Sequence, residues 1–270
     1  MRNLLVHLDS GPQAQSRLEL AVTLAKRLDS RLIGFFAQTA EVHAGVVAAW
    51  PPQDYAAAAA ESASAFKAAA AGLAASGWMD LNRGVEAEIL TQAVDLARHF
   101  DLIICGQPIA DHPPAPVDLI ERIVVDSGRP VLALPYAGHF ADVGRRPLFA
   151  WSDSKEAARA LADAIRITQT GAEAAVVSIG KPDDSNLAYR KVSLELAVAH
   201  LQAHGISAKA DQAVAVEIGL MDALLNQAAD HSADLLAIGA FGGQGYPRFS
   251  RGSGSKFMLK HMTLPVLFSH

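Results

Sequence analysis

A glycine-rich segment near the C-terminus has the residue types and spacing that are best suited to bind a ligand. It runs from Gly239 to Ser255, follows the apolar segment Leu235–Ile238, and leads into a predicted helix whose first turn starts at Ser253. Glycines let a backbone approach anionic oxygens closely, and a helix N-terminus presents free N–H groups. The segment therefore predicts a binding loop for an anionic group such as phosphate. From these residues alone, a turn needed only for packing is an equal alternative.

The charge distribution agrees with an anion site. The chain carries a formal net charge of −5, yet the residues from Leu235 to His270 include no Asp or Glu. The Lys and Arg residues of this stretch are Arg248, Arg251, Lys256 and Lys260. A basic region within an acidic chain favours a specific anion, whereas the overall charge argues against nucleic-acid binding through bulk charge.

The elements that would position this loop recur twice along the chain. Three segments return in the same order: Leu4–Ser10 as Leu148–Ser154, Asp101–Gly106 as Asp234–Gly239, and Arg129–Leu134 as Leu264–Ser269. Short apolar segments alternate with amphipathic helical segments, which is typical of parallel strands covered on both faces. The sequence predicts an α/β fold in two domains, residues 1–140 and 146–270, separated by a stretch that contains Gly138, Gly144 and Pro147.

The overall composition and one alanine-rich segment further restrict the class of protein. Hydrophobic residues make up 51% and charged residues 19% of the 270 residues, which excludes a disordered chain. The single cysteine, Cys105, cannot form an internal disulfide, and no apolar run approaches the length of a membrane span, so we expect a cytoplasmic protein without membrane contact. The alanine-rich stretch from Ala44 to Trp78 predicts an elongated surface helix between Tyr55 and Ala75.

The spacing Gly239-x2-Gly242-x9-Gly252-Ser253 resembles the nucleotide-binding signature of the universal stress protein family. The resemblance covers essentially the whole chain, as two domains in tandem. It implies that each domain is Rossmann-like, of the adenine nucleotide α-hydrolase type, with a mostly parallel five-stranded sheet flanked by helices. It also implies that the C-terminal domain binds ATP, or AMP or ADP, with or without Mg²⁺, and that the protein is a stress-linked sensor or regulator.

The same resemblance assigns residues to the nucleotide site. The glycines would let the loop pass over the phosphates, the apolar residues would line the pocket, and the residues of the first helical turn would donate hydrogen bonds. The implied nucleotide-binding residues are Ser152, Asp153, Ile238, Gly239, Phe241, Gly242, Gly252, Ser253, Gly254 and Ser255. No catalytic residue and no metal ligand is assigned.

The residue that faces the adenosine is ambiguous by one position. The family carries an Asp at the end of its first strand, where the first half of this chain has Asp9. Aligning the helices through Leu18 and Leu161 places Ser152 opposite Asp9, while aligning the strands by identity places Asp153 there. We expect Asp153 to make the contact. The alternative is that Ser152 or Asp153 caps the helix that follows.

The first half lacks the phosphate-binding loop of the second. Ile109 stands at the second glycine position, four prolines remove backbone donors, and Asp111 and Asp118 would repel phosphate. We expect no nucleotide there; this domain would pair with the second in an internal pseudo-dimer, as family dimers pair, or bind something else. The terminal strands Val131–Leu134 and Val266–Phe268 could pair within one chain or between two, which leaves a homodimer open.

Two other functions compete with nucleotide binding. A stress scaffold that binds no nucleotide is favoured by Ser152 at the adenosine position and by Gly254, where relatives often carry Val. An ATP-consuming enzyme is the weaker alternative, because the loop contains no carboxylate and the chain has no P-loop. Slow ATP hydrolysis would be incidental to binding.

For several other residues, a structural role is a better interpretation than a chemical one. His200 and His204 have the spacing of metal ligands, but no third ligand is evident, and histidines are favoured near a helix C-terminus. Cys105 is expected to be a packed, inert thiol. Trp151 either stacks on a ligand or packs, with packing slightly favoured, and the same applies to His7.

Overall fold

The computed structural model describes residues 1–40, 52–81, 85–109, 114–180, 187–215, 219–242 and 252–270. The chain divides into two compact units, Met1–Asp142 and Val143–His270. Strands and helices alternate along both units, so the predicted α/β class is confirmed. In the described part of the chain, no helix combines the length and apolar character needed to cross a membrane.

The elements of the N-terminal unit are β1 (Asn3–Leu8), α1 (Ala14–Arg27), β2 (Arg31–Phe36), α2 (Gln53–Ala70), β3 (Ser76–Asp80), α3 (Glu86–Ala97), β4 (Leu102–Gly106), α4 (Leu119–Ser127) and β5 (Val131–Leu134). The strands form a parallel sheet in the order β3-β2-β1-β4-β5. Strands β1, β2, β4 and β5 are almost entirely buried, as their unbroken apolar runs predict.

The C-terminal unit repeats this arrangement. Its elements are β6 (Pro147–Ala150), α5 (Lys155–Ile165), β7 (Glu173–Gly180), α6 (Leu187–Ala203), β8 (Ser207–Val214), α7 (Leu220–Asp230), β9 (Leu235–Gly239), α8 (Ser253–His261) and β10 (Val266–Ser269). Its strands are parallel in the order β10-β9-β6-β7-β8.

The Asp that opens the repeated Asp-Leu-x-x-x-Gly segment anchors the first strand of each unit. The Asp101 carboxylate accepts hydrogen bonds from the backbone N–H groups of Arg2 and Asn3, at 2.7 and 3.1 Å. The Asp234 carboxylate accepts three such bonds, at 2.8–3.0 Å, from the consecutive residues 144–146. Because an Asp at this position satisfies backbone donors at the strand start, its recurrence has a structural cause.

The alanine-rich segment differs from the prediction at its C-terminal end. Helix α2 ends at Ala70 instead of Ala75, and Trp78, at the end of the alanine-rich stretch, lies in β3. Trp78 packs against Phe66 of α2 with ring centroids 5.5 Å apart, and β3 pairs in parallel with β2. Gly72 and Gly77 weaken the helix beyond Ala70, so packing on β2 prevails over the propensity of the alanines. Residues 44–51 of the predicted segment lie outside the described residues.

Candidate functional site

The glycine loop starts at the carboxyl end of β9, where parallel α/β sheets bind ligands. Gly239 ends the strand, and Ala240, Phe241 and Gly242 follow. Residues 243–251, which include the predicted cationic residues Arg248 and Arg251, lie outside the described residues. Gly252, the first described residue after them, immediately precedes α8.

Direct contacts hold the two described ends of the loop together. The backbone N–H of Phe241, whose φ is +54°, donates to Ser255 Oγ at 2.9 Å. Gly252 has φ of +82°, and a β-carbon placed on it would lie 2.9 Å from Phe241 Cδ1. A larger residue at position 252 would therefore meet both an unfavourable backbone conformation and the Phe241 ring. Phe241 and Ser255 are buried here and anchor the loop.

The first turn of α5 lies against the strand end. A β-carbon on Gly239 would lie 2.5 Å from the backbone nitrogen of Ala157, so only glycine permits this approach. Ser154 caps α5, because its hydroxyl accepts a hydrogen bond from that nitrogen at 3.1 Å. The alternative that Ser152 or Asp153 caps this helix is therefore wrong. The N-termini of α5 and α8 both lie beside the loop, and both provide positive partial charge.

The sheet register resolves the one-residue ambiguity at the end of the first strand. Leu4 pairs with Leu102 in β4, and Pro147 pairs with Leu235, which occupies the place of Leu102 in the repeated segment of β9. Leu4 and Pro147 are therefore equivalent. Counting five residues onward from each places Ser152 opposite Asp9. Asp153, on which our prediction relied, comes one position later.

Asp153 is exposed and held by neighbours of its own. Its φ is +50°, and its carboxylate accepts hydrogen bonds from the Trp151 indole, at 3.2 Å, and from the Ser193 hydroxyl of α6. Trp151 also donates to Ser193 Oγ at 2.8 Å. The half-buried Trp151 therefore forms a polar cluster with Asp153 and Ser193, and nothing in the sequence pattern pointed to Ser193. Ser152 is exposed, with its hydroxyl 3.2 Å from that of Ser154.

The remaining predicted residues differ in their accessibility. Gly239, Gly242, Ser253 and Gly254 are partly exposed, whereas Ile238 and Gly252 are buried. A β-carbon on Gly254 would contact the Met221 side chain at 3.2 Å. The partly exposed residues and the two helix N-termini thus form the surface that a ligand could reach.

Sequence reasoning missed a carboxylate at this surface. Glu156, in the first turn of α5, is only 6% exposed. A β-carbon on Gly242 would lie 2.8 Å from Glu156 Cδ and about equally close to both carboxylate oxygens. Lys155 Nζ lies 3.6 Å from Glu156 Oε1, but its side chain is 80% exposed, so it neutralises the charge only weakly. Glu156 thus places negative charge beside the predicted phosphate loop.

The equivalent corner of the N-terminal unit, where β1 and β4 end and α1 begins, contains a buried group of charged residues. Arg17 Nη2 lies 3.0 Å from Asp9 Oδ1, and Arg17 Nε donates to the backbone oxygen of His7 at 2.6 Å. Asp9, Arg17 and His7 are all less than 10% exposed. A β-carbon on Gly106, the counterpart of Gly239, would overlap the Arg17 guanidinium at 1.9 Å from Nη1.

Burial and charge set the protonation of this group. Burial lowers the pKa of His7 from 6.5 to about 4, and the neutral ring donates from Nε2 to the Ala37 oxygen at 2.7 Å. Burial is the largest single influence on Asp9 and opposes its ionisation, but the Arg17 charge, together with smaller contributions from His7 and from the hydrogen bonds of Gly11 and Arg17, keeps the pKa of that carboxyl below its usual value. Burial raises the pKa of Cys105 to about 12, in agreement with a packed, unreactive thiol.

The cavity that Asp9 and Arg17 line together is small. Its lining includes Asp9, Arg17, Gln107 and Ile109, and its volume is about 40 Å³. Ligand sites typically have volumes of roughly 300–1,000 Å³, so this cavity has room for water molecules and not for a nucleotide.

The described residues hold no group of three or more His, Cys, Asp or Glu side chains arranged to bind a metal ion. His200 and His204 stack edge to face with their ring centroids 4.8 Å apart. Their spacing is therefore accounted for by a ring contact at the C-terminal end of α6.

No protein-family model matches this sequence, and no curated protein matches it either. Solved structures do match. A universal stress protein from Archaeoglobus fulgidus aligns with a TM-score of 0.69 and 17% identity, over 99% of this chain and 96% of that one. This chain has the universal stress protein fold. A putative universal stress protein from Pseudomonas aeruginosa matches with a TM-score of 0.59 and 18% identity, over 100% of this chain and 93% of that one.

A third match is a functionally unknown protein from Pseudomonas aeruginosa, with a TM-score of 0.60 and 18% identity, over 100% of this chain and 92% of that one. These alignments span the whole chain, so the likeness includes both units. The fold that the glycine spacing and the repeated segments implied is therefore confirmed, while identities of this size concern the fold alone.

Proposed function

We propose that this protein is a tandem universal stress protein whose C-terminal unit binds ATP or a related adenine nucleotide, as a stress-linked sensor or regulator. The observation that carries the proposal is the spacing Gly239-x2-Gly242-x9-Gly252-Ser253 at the carboxyl end of β9. The N-termini of α5 and α8 lie beside these glycines and favour an anion.

The phosphates would approach α8. Gly252, its N-cap residue, provides no side-chain cap, so the first N–H groups of the helix are available to a ligand. The hydroxyl of Ser253 is partly exposed, and Lys256 adds a cation in the same turn. The adenosine would lie toward the end of β6, where Ser152 occupies the position of Asp9 and Asp153 is adjacent. Mg²⁺ bound to the phosphates would offset the Glu156 charge.

We assign no dedicated catalysis to this site. Phosphoryl transfer needs a carboxylate that holds the metal, a positioned nucleophile and cationic groups around the phosphates. Among the described residues at the loop, Glu156 and Asp153 are the available carboxylates, and the Asp153 carboxylate is already engaged by Trp151 and Ser193. Any ATP hydrolysis would be slow and secondary to binding.

Native mass spectrometry of the purified protein, followed by calorimetric titration of the nucleotide-free protein with ATP, tests the proposal. We expect one nucleotide per chain. The informative variant is Ser253→Asp, because a carboxylate in the first turn of α8 suits the helix dipole but repels phosphate. Counted back from the proline that immediately precedes β5 and β10, Ser253 corresponds to Asp118 in the N-terminal unit. The affinity for ATP should fall by roughly tenfold or more.

Thr263→Asp is the matched control, because it adds the same charge at an exposed position beyond the other end of α8. It should leave ATP affinity within about twofold of the wild type, since exposed charges at that distance are screened. If wild type binds ATP and both variants bind equally well, the nucleotide lies elsewhere. If wild type binds no ATP at millimolar concentration, nucleotide binding itself is wrong.

A stress scaffold that binds no nucleotide is the second candidate, and Glu156 favours it. A buried carboxylate against Gly242 opposes an anion at the point where the signature would place phosphate. Under this alternative the glycines serve to bring β9, α5 and α8 close together. Absence of nucleotide in the purified protein, together with a failed ATP titration, would support it.

A further inference from the structure

A polar cavity lies in the C-terminal unit where β6, β7 and β8 start, at the opposite end of the sheet from the glycine loop. Its volume is about 230 Å³, and its lining includes Arg146, Glu173, Ala175, Lys209 and His231. Sites for drug-sized ligands have volumes of roughly 300–1,000 Å³, so this cavity suits a smaller metabolite.

The sheet register brings these lining residues to one face. Leu148 of β6 pairs with Ala175 of β7, and Ala175 pairs with Lys209 of β8. Residues two apart on a strand share a face, so Arg146 and Glu173 form the row before this one. Arg146 and Lys209 therefore lie on either side of β7. The small side chain of Ala175 leaves the space between them open.

Three charges line the cavity without a partner. Among the described residues, neither the Lys209 ammonium nor the Glu173 carboxylate forms an ion pair or a side-chain hydrogen bond. Arg146 Nε donates to a backbone oxygen at 2.7 Å, which leaves its two Nη groups for a ligand. His231 is different, because its Nε2 lies 2.9 Å from the Asp211 carboxylate. The cavity thus presents two cations and one anion.

The N-terminal unit fills the same place with an apolar side chain. The register that aligns β1 with β6 makes Ile33 the counterpart of Ala175, and Gly77 the counterpart of Lys209. A β-carbon on Gly77 would lie 2.9 Å from Ile33 Cδ1, so the isoleucine covers the neighbouring strand. The fold therefore does not require an open, charged cavity here, and the alanine and the lysine of the second unit create it.

We propose that this cavity binds a small α-amino acid. Its carboxylate lies over Ala175, between the Arg146 guanidinium and the Lys209 ammonium, and its ammonium faces Glu173. A guanidinium suits a carboxylate because it can donate two parallel hydrogen bonds. A simple anion would use both cations but meet the Glu173 charge, whereas a zwitterion has a partner for each of the three charges. The proposal does not depend on nucleotide binding.

Saturation-transfer NMR of the full chain with the standard amino acids, followed by calorimetric titration of those that bind, tests the proposal. We expect a small amino acid to bind with a Kd below about 1 mM. Arg146→Met combined with Lys209→Met should weaken this binding by roughly tenfold or more, because both variants remove charge-assisted hydrogen bonds. Absence of binding by every amino acid at about 10 mM would overturn the proposal.

Arg145→Met combined with Lys191→Met is the matched control. Both residues are exposed and neither lines the cavity, so the pair removes the same two charges outside the site. Its affinity for the amino acid should stay within about twofold of the wild type. Equal weakening by the two double variants would mean that the cations act only through the overall charge, which contradicts the proposal.

Glu173→Gln separates an amino-acid site from a plain anion site, with acetate as a probe that has the carboxylate but no ammonium. The variant should weaken amino-acid binding by roughly fivefold and tighten acetate binding, because the removed charge attracts one ligand and repels the other. A wild type that binds acetate as tightly as the amino acid would contradict the proposal, as would an unchanged amino-acid affinity in the variant.

Ala175→Ile tests the place of the ligand, because it introduces the residue that covers the equivalent place in the N-terminal unit. It should abolish amino-acid binding, and circular dichroism shows whether the fold is kept. Retained binding would place the ligand elsewhere and overturn the proposal; if the variant does not fold, the variants at exposed positions decide. All these variants should leave ATP affinity unchanged, so failure of this proposal is distinguishable from failure of nucleotide binding.

Discussion

The two units complete the same corner of the fold in different ways. In the N-terminal unit, Asp9 and Arg17 form a buried ion pair with His7 beside it. The sheet register, which sets Leu4 opposite Pro147, and the helix alignment, which sets Leu18 opposite Leu161, give the same offset between the units. At this offset the C-terminal unit has small residues at the equivalent positions: Ser152, Ala160 and Ala150. One corner is filled by its own ion pair, while the other combines backbone N–H groups, hydroxyls and glycines with the buried carboxylate of Glu156.

The glycines at the strand ends show how this difference is built. Gly106 makes room for the Arg17 guanidinium, whereas Gly239 makes room for the first turn of α5. The same residue type in the same repeated segment therefore permits internal charge pairing in one unit and a close approach of helix to loop in the other. A glycine at a strand end is by itself weak evidence for a ligand site, and its neighbours decide its role.

Removing Arg17 should have the largest effect on stability, because it breaks the buried Asp9–Arg17 ion pair. Arg17→Met leaves the Asp9 carboxylate buried and without its cation, which should lower the free energy of unfolding by about 3–5 kcal/mol. Urea denaturation followed by circular dichroism measures this loss. Arg2→Met is the control: Arg2 pairs with Asp29, but both side chains are more than three-quarters exposed, so the change should cost less than about 1 kcal/mol.

The double variant Asp9→Asn with Arg17→Met shows whether the unpaired charge is the cause. It removes both charges, so it should be more stable than Arg17→Met alone. Equal stability of the single and double variants would mean that Arg17 acts through packing and not through its charge.

The free energy of unfolding should depend on pH because His7 is buried. The folded pKa is about 4 and the unfolded value 6.5, so the unfolded chain binds the extra proton in this range. The full contribution of neutral His7 is present above pH 6.5 and is lost as the pH falls toward 4, by about 3 kcal/mol in total. Asp9 acts in a lower range, because its folded pKa is below the usual 3.8. Its contribution is lost as the pH falls below that value.

His7→Gln separates this effect from the other titrating groups. Glutamine keeps an N–H donor for the Ala37 oxygen but does not titrate. Urea denaturation at several pH values between about 7 and 4.5 should show a shallower loss of stability in the variant than in wild type. Parallel curves would show that His7 takes up its proton without unfolding.

The sequence was sufficient to predict the strands with unbroken apolar runs and the place of the glycine loop. Both depend on local patterns: apolar runs form buried parallel strands, and the Asp that opens each repeated segment satisfies the backbone donors of a neighbouring strand. Strand β3 was not predicted because Ser76–Asp80 has no apolar run. The strand follows an alanine-rich helix and is half-exposed. Its pairing with β2 is a tertiary contact that local propensity does not indicate.

The side chains around the site could be predicted only in part. The spacing of Gly239, Gly242 and Gly252 indicated that they share one loop, and the Phe241 contacts bring its described ends together. The positions of Glu156 and Arg17 depend on how each helix is rotated against its sheet. In sequence, both look like ordinary charged residues of a first helical turn or a solvated face, and only the packed helices show them to be buried.

The smallest predicted effect is that of Glu156, at the C-terminal corner, on the affinity for ATP. If phosphate binds beside Gly242, the Glu156 carboxylate repels it. Glu156→Gln should therefore tighten ATP binding by about fivefold when metal ions are removed with EDTA, since the charges lie a few ångströms apart in a partly solvated site. Added Mg²⁺ should reduce the difference between variant and wild type, because the cation offsets the charge that the variant removes. Calorimetric titration in both buffers measures the two affinities.

Glu173→Gln is the control for this measurement, because Glu173 is exposed and starts β7 at the opposite end of its strand from the loop. It removes the same charge and should leave ATP affinity unchanged. A weaker affinity in Glu156→Gln without metal would mean that the carboxylate positions the loop and does not face the phosphates. In that case the C-terminal corner, like the N-terminal one, would depend on a buried carboxylate for its structure, and the contrast between the two units would narrow to the loop itself.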